Sequence, residues 1–320
     1  TSIRDLVIKD NDLVVGTHGR SIWILDDISP LRELAALAAS GKNHLFAVSD
    51  ALRVRHNTFL DTPLPPEEPA GQNPPDGAIL DYYLSSAAKE VVLEIVDAKG
   101  RMLRTYSNLL SPSVPDTNQL QHPSFWLRPA TVPGNTPGHH RFIWDLRMET
   151  PAGVEQSLSI SANVHNTPAD PRGPLVAPGN YRVRLLVEKQ LVGEQTFEVK
   201  PDPRVAMSAE DWQLQAAMTE RCYQAYLQAQ EMREHLENKI AEAPADAEKF
   251  RQVLGNRTPD NPDFMYGSIY EAPAGQETVT GLQTKLLFMI NIFQSADARP
   301  TSQAMSAVEK LEAALEELKK

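Results

Sequence analysis

The hydrophobic pattern changes period at Pro201-Asp202-Pro203, and that change constrains the fold more than any other feature of the chain. Ahead of it, Tyr181, Val183, Leu185 and Val187 alternate with polar residues. After a turn near Glu188-Lys189-Gln190, Phe197 and Val199 continue the pattern. Alternation places apolar side chains on one face of a strand. Behind the prolines, Leu214, Met218, Cys222, Ala225, Ala229, Met232, Leu236 and Ile240 recur at steps of three and four, the stripe of an amphipathic helix. Proline has no N–H for a ladder, so two of them around Asp202 end the last strand. Strands followed by helices predict separate β and α regions, a multidomain α and β chain.

Residues 201–320 predict a helical bundle. Ser208 can cap the first helix, with Glu210 and Asp211 in its first turn. A second stripe is Leu282, Leu286, Met289 and Phe293. A third is Ala304, Val308, Leu311, Leu315 and Leu318, opened by Pro300-Thr301 and closed by Lys319-Lys320. A shorter helix is expected between Asp246 and Leu254. Three stripes that each need a partner make a small bundle.

Residues 77–200 predict an antiparallel β-sandwich of the immunoglobulin/fibronectin-like kind. Ala78, Leu80, Tyr82 and Leu84 alternate, then Val91, Leu93 and Ile95. Asp97-Ala98-Lys99-Gly100 turns the chain into a hairpin strand over 102–106. Arg141 to Arg147 and the run after Pro178-Gly179 add further strands. Strands with one apolar face each require two sheets packed face to face.

Residues 1–28 predict two strands. The first is Ile3–Lys9, ended by Asp10-Asn11-Asp12. The second begins at Leu13 and runs through His18-Gly19-Arg20 to Leu25. Residues 29–76 predict a short helix over 31–39, capped by Ser29-Pro30, a short strand over 44–48, and a proline-rich linker over 61–76. Two strands alone leave exposed edges. Residues 3–28 are therefore expected to complete a sheet supplied by preceding sequence. A chain that opens at Thr1 inside a strand, without a signal peptide, is expected of a processed or truncated protein.

Charge and motifs exclude several functions. A net charge of −11 with no run of Lys or Arg repels phosphate backbones, so no nucleic-acid partner is expected. The longest apolar stretch near the C-terminus, Leu286-Leu287-Phe288-Met289-Ile290, is too short for a membrane span. The single cysteine, Cys222, lies on the helical stripe, where a thiol is inert. His18, His44, His56, His122, His165 and His235 lack zinc-site spacing, and the adjacent His139-His140 diverge on a strand. There is no Gly-x-Ser-x-Gly, phosphate loop or dinucleotide fingerprint. No catalytic residue, metal ligand or cofactor is assigned.

Four acidic or aromatic features remain. Asp26-Asp27 would point to opposite faces of a strand, so a turn or helix start before Ser29-Pro30 is expected rather than an acid/base pair. Asp145 is expected to pair with a basic group or loop amide. Trp144 could form a sugar-stacking platform with Trp126, or core with Phe142 and Leu146. Phe125 and Trp126, in the loop over 107–139, are the candidate ligand-binding residues; the other reading of that loop is an ordered strap.

The run Gly16-Thr17-His18-Gly19-Arg20-Ser21-Ile22-Trp23-Ile24-Leu25-Asp26-Asp27 resembles the last blade of sortilin-type β-propellers with Asp-box (BNR) repeats, proteins often labelled glycosyl-hydrolase-like. Phe142-x-Trp144-Asp145-Leu146-Arg147, Gly173-Pro174-Leu175, Pro178-Gly179-x-Tyr181-x-Val183 and Pro201-Asp202-Pro203-Arg204 are similar to the region that follows the propeller in bacterial members. The resemblance implies the C-terminal part of a periplasmic or extracellular propeller protein. This chain would brace the propeller, its upstream partner in the same protein, and bind a protein or glycan. The alternative it implies is an accessory module of a glycoside hydrolase whose carboxylates lie upstream.

Overall fold

The computed structural model describes residues 1–55, 71, 73–110, 123–154, 157–158, 167–170, 172–243, 245–255 and 277–320. Most of the linker expected over 61–76, and His56, His122 and His165, lie outside the described residues. The described chain is mixed α and β, with several antiparallel sheets and five helices. It divides into two compact units.

The first unit comprises Thr1–Glu149, Gln156–Asp170 and Pro178–Pro203. It opens with β1 (Ile3–Lys9), β2 (Asp12–Thr17), β3 (Ile22–Leu25) and α1 (Leu31–Ser40). There follow β4 (His44–Leu45), β5 (Ala51–Arg53), β6 (Ala78–Leu84), β7 (Val91–Asp97), β8 (Met102–Ser107) and β9 (Gly138–Trp144). The last strands are β10 (Ser157–Leu158), β11 (Ala169–Asp170), β12 (Gly179–Val187) and β13 (Gln190–Pro201). One sheet has the order β5-β13-β12-β7-β8, antiparallel except for β5; another has the order β4-β6-β9; β1-β2-β3 form a separate meander.

Alternation builds the core. Leu80, Tyr82 and Leu84 on β6, Leu93 and Ile95 on β7, and Val183 and Leu185 on β12 are fully buried. Each contributes about 1.5–3 kcal/mol by leaving water. Trp144 is fully buried too. Its ring lies 5.6 Å from Tyr181 and 6.0 Å from Phe197, so aromatic contacts join the three-stranded sheet to the five-stranded one. The turn expected at Glu188-Lys189 is a two-residue hairpin, both residues having positive φ (50° and 66°).

Three local expectations are corrected. Residues 3–28 make three strands, not two. Gly19 (φ 78°) and Ser21 (φ 62°) take left-handed conformations, and the Thr17 hydroxyl donates to the Ser21 carbonyl at 2.7 Å, so the chain reverses between β2 and β3. The strand expected over 44–48 shrinks to His44–Leu45, because the chain then crosses from the three-stranded sheet to join the five-stranded one at β5. Ser29 does not cap α1; its hydroxyl donates to Asp27 Oδ1 at 2.5 Å.

The second unit comprises Thr150–Glu155, Pro171–Ala177 and Arg204–Lys320. It holds α2 (Ala209–Glu242), α3 (Ala247–Leu254), α4 (Val279–Gln294) and α5 (Ser302–Leu318). Ser208 accepts from the Asp211 amide at 3.1 Å and Thr301 from that of Ala304 at 3.2 Å, as their positions predict. Leu282, Leu286, Met289 and Phe293 are buried, as are Met218, Cys222, Ala225, Ala229 and Leu236. Leu214, Met232 and Ile240 are only half-buried, and Gln215 and Thr219 take core positions instead. Both polar groups are bonded: Gln215 Nε2 donates to the Ala296 carbonyl at 2.7 Å, and the Thr219 hydroxyl to the Gln215 carbonyl at 2.9 Å. No helix among the described residues is long and apolar enough to cross a membrane.

Candidate functional site

The meander β1-β2-β3 is apolar on both faces. Cross-strand partners share a face, so the register sorts its side chains. Leu6, Val15 and Trp23 align on one side, with Ile8, Leu13 and Leu25 beside them. Val7, Val14 and Ile24 align on the other, next to Ile22. Every residue of β1 and β3 is exposed, Ile22 by 70% and Trp23 by 64%. The strands β1 and β3 each pair only with β2 among the described residues, which leaves both outer edges open. An antiparallel sheet with one wet face alternates apolar and polar residues; continuous apolar runs belong to strands buried on both sides. Contiguous exposed apolar surface of this kind marks an interaction site.

A polar cluster anchors the meander at its base. Arg141 on β9 lies opposite Asp81 on β6. Its Nε donates to Asp81 Oδ1 at 3.0 Å and its Nη2 to Oδ2 at 2.9 Å, a bidentate pair. Nη1 also donates to the Asp26 carbonyl at 2.5 Å, and Nη2 to that of Asp27 at 2.6 Å. His139 Nε2 lies 3.1 Å from Asp81 Oδ1. The Asp27 carboxylate accepts from the Ser29 amide at 3.0 Å, the Ser29 hydroxyl, and the Ser49 hydroxyl at 2.7 Å. Each carboxylate oxygen and each guanidinium nitrogen of these three residues has a partner. Such a network fixes these three side chains in place.

Asp27 precedes the turn at Ser29-Pro30 and its carboxylate is taken up by Ser29 and Ser49, while Asp26 contributes its backbone carbonyl to Arg141. Burial pushes the Asp27 pKa up, but hydrogen bonds from Ser29 and Ser49 and the Arg141 charge outweigh it and hold the carboxyl below its ordinary value. A depressed pKa contributes stability that is complete above the unfolded-state value and disappears as pH falls through the folded one. The unfolding midpoint in urea should accordingly fall on acidification below about pH 4. Asp27→Asn should flatten that part of the profile; an unaltered profile in the variant would refute the assignment.

The remaining sequence-predicted positions do not converge on a site. Trp144 cannot join Trp126 in a sugar platform, because it is fully buried and its indole N–H donates to the Arg147 carbonyl at 2.9 Å. Phe142 and Leu146 are buried with it. Asp145 pairs with Arg104 at 3.2 Å and accepts from the Arg147 amide at 3.3 Å, the roles expected of it. Phe125 and Trp126 lie on a single 3-10 turn (Ser124–Trp126), half-buried, with perpendicular rings 6.4 Å apart. The Thr167 amide donates to the Trp126 carbonyl at 2.9 Å, and the Arg128 amide to the Thr167 carbonyl at 2.8 Å. Those bonds tie the described part of the loop to Thr167; residues 111–122 of the loop lie outside the described residues. His139 and His140 diverge: His140 stacks on Tyr82 at 5.1 Å.

Cys222 is fully buried on α2, and burial pushes its thiol up to about 12. The native protein should leave Cys222 unmodified by a thiol reagent at pH 8, and label it stoichiometrically in denaturant. Labelling before unfolding would contradict its burial. A groove of about 310 Å³ between α2 and α5 is lined by Glu220, Arg221, Gln224, Gln228, Glu312 and Leu315. Arg221 Nε pairs with Glu312 across it at 2.9 Å.

Sequence reasoning missed the two-sided character of the meander, because the Gly19–Ser21 reversal that creates β3 was read as a continuation of one strand. It also missed Asp81, which alternation assigns to the outer face of β6. No protein-family model matches the chain, and no curated protein sequence does.

Proposed function

We propose that this chain is the C-terminal, non-catalytic region of a larger secreted or cell-envelope β-propeller protein. In this reading β1-β2-β3 belong to a propeller blade, residues 77–200 form an immunoglobulin/fibronectin-like sandwich and residues 201–320 a helical bundle, and the two brace the propeller and present a surface to a protein or glycan. The observation that carries the reading is the meander with two apolar faces. A propeller arranges its blades radially, so each blade packs a neighbour on either side and keeps no wet face. The sheets joined through Trp144, Tyr181 and Phe197 support a sandwich, whose core lies between two facing sheets. The closed Asp27–Arg141–Asp81 network supports a non-catalytic role.

Two readouts test the proposal. Residues 1–320, offered a panel of aryl glycosides and polysaccharides, should release no reducing sugar; release would refute the non-catalytic role. The difference spectrum between parent and Trp23→Phe should show solvent-exposed emission for Trp23 in this chain and blue-shifted emission in the protein extended upstream. Unshifted emission in the longer protein would refute the blade.

A further inference from the structure

We infer that Asp26-Asp27 and Arg141 form a rigid joint that fixes the direction in which the meander leaves the rest of its unit, with Arg141 as the positioning residue. The inference stands whether or not the meander is a propeller blade, since it concerns only how this chain carries it.

The exposure of β1 and β3 leaves the meander little support from face packing. Its orientation is set where the chain leaves β3. There the backbone is held from both sides. From the sheet side, Arg141 binds the Asp26 and Asp27 carbonyls while Asp81, buried to 3% exposure, pins the guanidinium. The Ser49 hydroxyl adds a bond to the Asp27 carboxylate. From the meander side, the Asp27 amide donates to Asp12 Oδ1 at 3.0 Å, and the Ile28 amide to the Asn11 carbonyl at 2.7 Å. These bonds return to the β1–β2 turn, so the joint grips the meander at one end, where β2 begins and β3 finishes. Asp27 itself is 7% exposed with φ 45°, a left-handed conformation that a non-glycine residue keeps only where its surroundings over-determine it. A flexible tether would need none of these bonds. A surface that must meet neighbours on both faces at a set angle needs them.

Lys9 on the meander and Lys99 in the β7–β8 hairpin are both exposed, and Cys222 is buried. Lys9→Cys and Lys99→Cys can therefore be spin-labelled selectively, and the interspin distance distribution measured in the full 320-residue chain. The joint predicts one narrow distribution in the parent. Arg141→Met alone would strand the Asp81 carboxylate and unsettle the core. The informative variant is Asp81→Asn with Arg141→Met, which removes both charges. It should broaden the distribution roughly twofold or more while the unfolding midpoint of the β core is retained. Ser49→Ala, which leaves the Arg141–Asp81 pair intact, should broaden it part of the way. A broad distribution in the parent, or an unchanged width in both variants, would overturn the inference.

Discussion

Trp144→Ala is expected to cost about 3–5 kcal/mol, the range for deleting a large aromatic side chain from a core. Trp144 is fully buried at the end of β9, and its ring meets Tyr181 and Phe197 on two strands of the other sheet. Three losses coincide on truncation: the apolar area, the contacts of both partner rings, and the bond from the indole N–H to the Arg147 carbonyl. The last removes one donor from a partly buried carbonyl. Collapse around the cavity is limited because Tyr181 and Phe197 sit in paired positions on β12 and β13, opposite each other in register. In a thermal melt followed by near-ultraviolet circular dichroism, the transition should drop by about 10 °C or more. Trp144→Phe, which keeps much of the ring volume, should lose less. A drop of under about 2 °C for the alanine variant would mean that Trp144 does not join the two sheets.

Gly77→Ala should be comparably damaging for a different reason. Gly77 precedes β6 with φ 144°, a conformation that L side chains rarely adopt. A Cβ placed there would lie 2.0 Å from the Trp144 carbonyl oxygen and 2.8 Å from its carbon. Both are backbone atoms of the neighbouring strand, so no side-chain rotation relieves the overlap. Strain at the dihedral and forced displacement of β9 each cost about 1–3 kcal/mol, giving about 2–6 kcal/mol together. The same strand pair supplies the control. Gly138 lies at the other end of β9, opposite Leu84, with φ 120° and open space where its Cβ would go. Gly138→Ala carries the dihedral strain without the overlap and should cost about 1–3 kcal/mol. Denaturant midpoints should rank parent, Gly138→Ala, Gly77→Ala in falling order. Equal midpoints for the two variants would show that β6 and β9 do not approach as closely as the backbone overlap requires.

What the amino-acid order discloses is local. The alternation of Leu80, Tyr82 and Leu84, the stripe through Leu282, Leu286 and Met289, and the caps at Ser208 and Thr301 all depend on residues within one element. Their structure follows their spacing. The third strand of the meander is hidden because Gly19 alone marks the reversal, and its second left-handed position is Ser21, which no sequence signal singles out. The joint is hidden for a different reason. Asp26 and Asp27 are conspicuous, but Arg141 lies 115 and 114 residues further on, and only the pairing of β6 with β9 brings it opposite Asp81. Asp81 itself occupies a strand position that alternation assigns to solvent, and only its paired charge makes burial tolerable. Phe125 and Trp126 read as a binding pair from composition. The backbone bonds that tie Trp126 and Arg128 to Thr167 reach about forty positions along the sequence.

The proposed blade predicts that the meander becomes an interior sheet, covered on both faces, once upstream sequence is present. Amide hydrogen exchange of residues 3–25 measures it most directly, compared between this chain alone and the protein extended upstream. Alone, the open edges and uncovered faces should exchange quickly while β6, β7 and β12 stay protected. In the longer protein, residues 3–25 should become as protected as those core strands. Fast exchange of the meander in both proteins would contradict the claim.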